Sequence, residues 1–163
     1  MQRLTTEQRS NIVRAAKEWL GTPYHHHARV KGAGADCAMF PLAVYQECGV
    51  LPREYRPPQY SVQWHLHRSQ ELYLNEIEKF VMEIGSPPQP GDFIVFRFGR
   101  TFSHGAIVVN WPVVIHSYIP HGVLLSDALR DGELLGREYK CFEVQPVAAM
   151  NAAIGPTAMT VTL

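Results

Sequence analysis

Three side chains in this sequence have the makings of a nucleophilic hydrolase: Cys37, His104 and His116. A thiol attacks a carbonyl as its thiolate, and the start of a helix lowers thiol pKa through its unpaired N–H groups and dipole. Cys37 follows Asp36, a natural capping residue, and precedes a dense apolar run, so the sequence places it at such a start. A histidine must take the thiol proton and return it to the leaving amine, and it comes from far along the chain. His104 opens an apolar segment after Ser103, and His116 lies in the next one, across Asn110-Trp111-Pro112. Antiparallel pairing would bring the two rings together. Both are candidates for the base, and His116 can also be the group that holds a catalytic imidazole in its tautomer. Taken singly, each residue has an ordinary structural reading.

The elements that must position these groups are legible in outline. Ile12, Val13, Ala16, Trp19 and Leu20 recur at helical spacing over Thr6 to Leu20, with Thr5 or Thr6 as cap and Gly21 as stop. Thr22 to Ala35 reads as an irregular loop, Cys37 to Cys48 as a buried helix ended by Gly49, and Leu51 to Tyr60 as a turn-rich connector. A helix is expected from about Trp64 to Phe80. After SPPQPGD come runs of strand length: Phe93 to Phe98, His104 to Asn110, Val113 to Tyr118, Val123 to Leu125 and Tyr139 to Val144. Helices followed by a meander of strands is an α+β pattern with an antiparallel sheet. One domain over 1–145 with a tail at 146–163, docked or mobile, is the expected organisation.

Composition narrows the partners. Fifteen basic residues balance fifteen acidic ones, which argues against nucleic acid or an anionic membrane as the main target. No apolar run approaches the about 20 residues of a membrane span, and the polar first residues carry no signal-peptide pattern. Localisation is open beyond that. Cys37, Cys48 and Cys141 are an odd number without CxxC spacing, which supports neither a disulfide framework nor a zinc site. Cys48 and Cys141 read as buried small hydrophobes. The run His25-His26-His27 suggests metal, yet adjacent side chains diverge and no acidic or thiol ligand stands at a useful interval, so a solvated or cleft-lining loop is expected. His65 and His67 are read as surface residues, Trp64 as packing, and Asp92 as the brace of a turn. Arg29, Lys31, Arg97 and Arg100 either give the cleft mouth a basic cast or are ordinary solvated charge.

The run GTPYHHHARVKGAGADCAMFPLAVYQECGVLP, followed by QPGDFIVFRFGRTFSHGAIVV and VVIHSY, resembles the NlpC/P60 family of papain-like cell-wall peptidases. The resemblance implies a papain-like fold of N-terminal helices on a central antiparallel sheet, with Cys37 as nucleophile, His104 as base and His116 as orienting residue. It implies Tyr24, Asp36, His26 and Ser103 on the substrate side, and no metal or cofactor. The implied substrate is a peptidoglycan stem peptide, cut between the D-glutamate side-chain carbonyl and the diamino acid. Two departures stand out: Ala38 and Met39 replace the family's small Ser-Gly, removing a serine that binds the substrate's amino group. The Y-H-H-H-A-R loop is similar to the phage-tail and prophage branch, which would make phage tail proteins the partners. The alternatives are a non-catalytic tail component, and an amidase or acyltransferase acting on another amide or a lipid.

Overall fold

The computed structural model describes residues 2–60 and 72–146. Helix α1 (Thr6–Glu18) begins at Thr5, whose hydroxyl accepts from the Gln8 N–H while the Gln8 side chain accepts from the Thr5 N–H. This reciprocal pair satisfies two donors that the first turn leaves without helical partners. Its inner face buries Ile12, Ala15 and Ala16, with Trp19 just past the end. The loop that follows contains a short antiparallel ribbon, β1 (Arg29–Val30) and β2 (Gly34–Ala35), where the sequence suggests only irregular chain. Two-residue strands are too short to show alternation. Helix α2 (Met39–Glu47) ends at Gly49, which takes the left-handed conformation at φ 69°. Cys37 lies in the turn ahead of α2, two residues before helical hydrogen bonding begins.

Only the C-terminal part of the helix expected over 64–80 is described, as α3 (Leu72–Ile77). Trp64, His65 and His67 lie outside the described residues, as does the tail beyond Pro146. Strand β3 (Val81–Ile84), not anticipated, pairs with β8 (Tyr139–Val144) at one sheet edge. Strands β4 (Phe93–Phe98) and β6 (Val113–Tyr118) coincide with their expected spans; β5 (Thr101–Asn110) and β7 (Gly122–Asp127) run a few residues longer. The sheet order is β3-β8-β4-β5-β6-β7, antiparallel throughout. The fold is α+β.

Alternation along the strands builds two cores. Phe93, Val95, Ile107, Ile115 and Phe142 face the helices, while Ile94, Phe96, Ala106, Val108 and Val114 face a smaller cluster closed by Ala128 and Leu134. Burial on both faces explains why these strands read as continuous apolar runs. Cys141 is buried in the second cluster and Cys48 is half-buried against the first, matching their reading as small hydrophobes.

Two features of this sheet matter for chemistry. The β5–β6 ladder runs from Asn110/Val113 to Ile107/Ile115 and ends there, so the first half of β5 and the last half of β6 diverge. Also, α1 is fastened to the sheet by a buried ionic cluster. Arg9 donates to Asp92 Oδ1 at 2.7 Å and Glu143 Oε1 at 2.8 Å, and the Leu4 N–H donates to the same Glu143 oxygen at 2.8 Å. Asp92 also accepts the Gln89 N–H at 2.7 Å, the turn-bracing role its sequence context suggests. Both carboxylates are fully buried. Removing one member of such a cluster strands uncompensated charge. Arg9→Met is therefore expected to destabilise the protein by about 3–5 kcal/mol in a denaturant titration, with Arg9→Lys intermediate.

Candidate active site

The Cys37 segment is held in the divergence between β5 and β6. The preceding loop lies along β6 and β7: Val123 N–H donates to Thr22 O at 2.8 Å, Gly21 N–H to Val123 O at 2.9 Å, and the Ser117 hydroxyl to Ala35 O at 2.7 Å. Gly122 permits the approach, because a Cβ there would sit 2.2 Å from Thr22 O and its φ is +73°. On the other side, Cys37 Sγ lies 3.9 Å from the Ser103 carbonyl oxygen, and the N–H groups of Cys37, Gly105 and Ala38 face the sulfur. The thiol thus rests against Ser103–Gly105, the backbone on either side of His104. Gly105 is itself required by crowding, since a Cβ would meet the Tyr73 hydroxyl at 2.6 Å.

The acidity expected of a helix-start thiol is not what this site produces. Burial, and then the charge of Asp36, push the Cys37 thiol above its usual range, and the three N–H groups offset only part of that. Cys37 therefore depends on a base to become a thiolate.

Two histidines stand on the neighbouring strands β5 and β6. His104, 5% exposed, and His116, 0% exposed, meet across the opening where the β5–β6 ladder has stopped, with His104 Nε2 2.7 Å from His116 Nδ1. His116 Nε2 in turn lies 2.8 Å from Ser126 Oγ on β7. Phe98 packs against the His104 ring at 4.5 Å, and Tyr118 meets both imidazoles edge-on or tilted. Burial lowers the His116 pKa to about 4, against a weaker upward pull from Asp131. His116 is neutral near pH 7. With Nε2 turned toward His116, the other ring nitrogen of His104 is Nδ1, the one nearer the backbone on which Cys37 rests.

The remaining candidates are distributed unevenly. Asp36 is 1% exposed and accepts from Ala38 N–H at 3.1 Å, Met39 N–H at 2.8 Å, His27 N–H at 2.7 Å and the Tyr60 hydroxyl at 2.6 Å. That occupancy makes it a cap and a brace of the Cys37 segment. Tyr24 is half-buried and bridges to Ala35; burial, Cys37 and Asp36 all raise its pKa, so its hydroxyl stays a donor. His26 Nδ1 lies 3.8 Å from Asp36 Oδ2 and its ring meets Tyr60 edge-on, while His27 stacks on Tyr60 at 4.7 Å between centroids. Ser103 is buried, with its hydroxyl directed to Thr101 O at 3.4 Å, so it meets Cys37 through its carbonyl. Lys31 pairs with Glu18 and Glu47, and Arg97 with Glu138, which is ordinary surface pairing.

Three contributors were not evident in the sequence. Ser126 falls one residue past the expected strand, Ser117 shows no sign of its bond to Ala35, and Tyr60 closes a proline-rich connector. Only the register of β6 against β7, in which Val114 faces Ser126, reveals that Ser126 shares a face with His116. For stability, the lowered His116 pKa has a defined sign. The unfolded chain takes up a proton near pH 6.5 and the folded chain only near pH 4, so stability falls as pH drops through that window. The difference corresponds to roughly 3 kcal/mol. Melting curves between pH 7 and pH 4 should show this loss, and His116→Asn should reduce it.

No protein-family model and no curated protein matches the sequence. Solved structures do match. The NlpC/p60 domain of the peptidoglycan hydrolase SagA aligns with TM-score 0.54 and 19% identity, over 81% of this chain and 96% of that one. An NlpC/P60 family protein from Bacillus cereus aligns with TM-score 0.57 and 19% identity, over 85% of this chain and 40% of that one. A protein similar to a lipoprotein of the NLP/P60 family, from Staphylococcus aureus, aligns with TM-score 0.57 and 22% identity, over 90% and 43%. This chain thus spans less than half the length of the latter two and nearly all of the SagA domain. At such identities the likeness speaks for the fold: helices on a six-stranded antiparallel sheet in the papain-like arrangement of NlpC/P60 domains.

Proposed function

We propose that this chain is a cysteine peptidase of the NlpC/P60 type that hydrolyses an amide bond in peptidoglycan stem peptides. The observation that carries the reading is the 2.7 Å contact between His104 and His116 beside a thiol resting on Ser103–Gly105. The SagA domain, titled a peptidoglycan hydrolase, shares the fold. In the proposed reaction Cys37 Sγ attacks the scissile carbonyl while His104 takes the thiol proton. The Cys37 N–H, with the Tyr24 hydroxyl as a second donor, meets the oxyanion. His104 then protonates the departing amine, and water releases the acid from the acyl-enzyme with His104 again as base. His116 keeps the imidazole in register throughout. The bond between the D-glutamate side-chain carbonyl and the diamino acid is the one the sequence resemblance favours, and the Y-H-H-H-A-R loop is the support for delivery by a phage tail.

A second reading has its own observation. A cavity of about 420 Å³ reaches Ala38, the residue after Cys37, and among the described residues its walls include Pro41, Leu42, Leu51, Pro57 and Phe80 beside Tyr60 and Glu76. Such walls suit an apolar acyl group, as an amidase or acyltransferase would require. Peptidoglycan fragments and an N-acyl amino acid, each incubated with the protein and analysed by mass spectrometry, separate the two. The expected result is stem-peptide cleavage by the wild type, reduced at least about 10³-fold in Cys37→Ala. Cleavage by both proteins or by neither contradicts catalysis, and cleavage of the N-acyl substrate alone favours the second reading.

A further inference from the structure

We infer that Ser126 is a positioning residue that fixes the direction of the proton chain behind Cys37, by accepting a hydrogen bond from His116 Nε2. The inference rests on the assignment of Cys37 and His104 as nucleophile and base, and extends it by one link. To take a proton from the thiol, His104 must present a bare Nδ1 and carry its own proton on Nε2. That proton points at His116 Nδ1, 2.7 Å away, so His116 Nδ1 must be bare as well. A neutral His116 then carries its proton on Nε2, where it requires an acceptor. Ser126 Oγ is 2.8 Å from that nitrogen and 3% exposed, and His116 is 0% exposed, so bulk water has no ready access to the position.

The alternative wiring is chemically possible and catalytically wrong. If the Ser126 hydroxyl donated into His116 Nε2, the His116 proton would move to Nδ1 and donate to His104 Nε2. His104 would then hold its proton on Nδ1, facing the thiol with a donor. The two tautomer sets differ by a reversal of every bond in the chain, and the end of the chain decides between them. Backbone pairing fixes the place of Ser126: the N–H of the next residue, Asp127, donates to Asp131 Oδ2 at 2.5 Å, and Val114 sits opposite Ser126 in the β6–β7 register. The groups that face His116 are His104 from β5, Tyr118 from its own strand, Ser126 from β7 and the charge of Asp131 from the following turn.

Histidine ¹⁵N spectra of the full chain read the tautomers directly, without any substrate. In the wild type both His104 and His116 should be protonated on Nε2 and bare on Nδ1. Ser126→Ala should shift His116 partly or wholly to the Nδ1–H form and slow iodoacetamide alkylation of Cys37 at neutral pH by on the order of tenfold. Ser126→Thr, which keeps the hydroxyl, should retain the wild-type spectrum and rate. A wild-type His116 protonated on Nδ1, an unchanged Ser126→Ala, or a Ser126→Thr that behaves like Ser126→Ala would each overturn the inference. Correct tautomers in a protein that cuts no peptidoglycan would support the wiring and reject only the substrate.

Discussion

One buried carboxylate organises everything around the thiol. Asp36 has 1% exposure and four hydrogen-bond donors, which come from three different pieces of the site. The Ala38 and Met39 N–H groups are the entrance to α2, His27 N–H is the turn of the histidine loop, and Tyr60 is the end of the proline-rich connector. Losing this carboxylate would leave all four donors unsatisfied. The same charge carries a chemical cost, because it stands next to Cys37 and raises the thiol pKa. The residue that assembles the site also makes the nucleophile harder to ionise.

That tension explains why the histidines must be where they are. A thiol acidified by a helix start alone would need little help from a base; this one needs a proton acceptor in contact. The sheet ends the β5–β6 ladder at Ile107/Ile115, which leaves room for the Cys37 segment against Ser103–Gly105 and lets His104 reach His116 across the opening. The pairing of side chains replaces the pairing of backbones. Burial keeps His116 neutral, which fits the orienting role proposed for it. The ionic cluster of Arg9, Asp92 and Glu143 holds α1 to the far part of the same sheet, so the frame carrying β5 is fixed independently of the site.

Much of this was legible in the sequence, for identifiable reasons. Long apolar runs, the SPPQPGD turn and the Asn110–Pro112 turn have strong local signals, and five of the strands lie at or close to their expected spans. Cys37, His104 and His116 could be singled out because they are distinctive residue types in an ordered set of motifs, and the structure gathers them in one place. What escaped depends on contacts between distant segments. Strand β3 exists because β8 offers it an edge, and β1 and β2 are too short to have a period. The rise in Cys37 pKa comes from burial and from Asp36 facing inward, neither of which spacing reveals. Ser126 is an unremarkable serine until β6 and β7 are set in register.

On the proposed mechanism Cys37 owes its reactivity to His104 and not to its place before a helix. The rate of Cys37 alkylation by iodoacetamide as a function of pH, read by peptide mapping to separate it from Cys48 and Cys141, tests this most directly. The wild type should react at neutral pH, while His104→Ala should lose that reactivity and recover it only above the ordinary thiol value of about 8.5. Superimposable profiles for the two proteins would contradict the account.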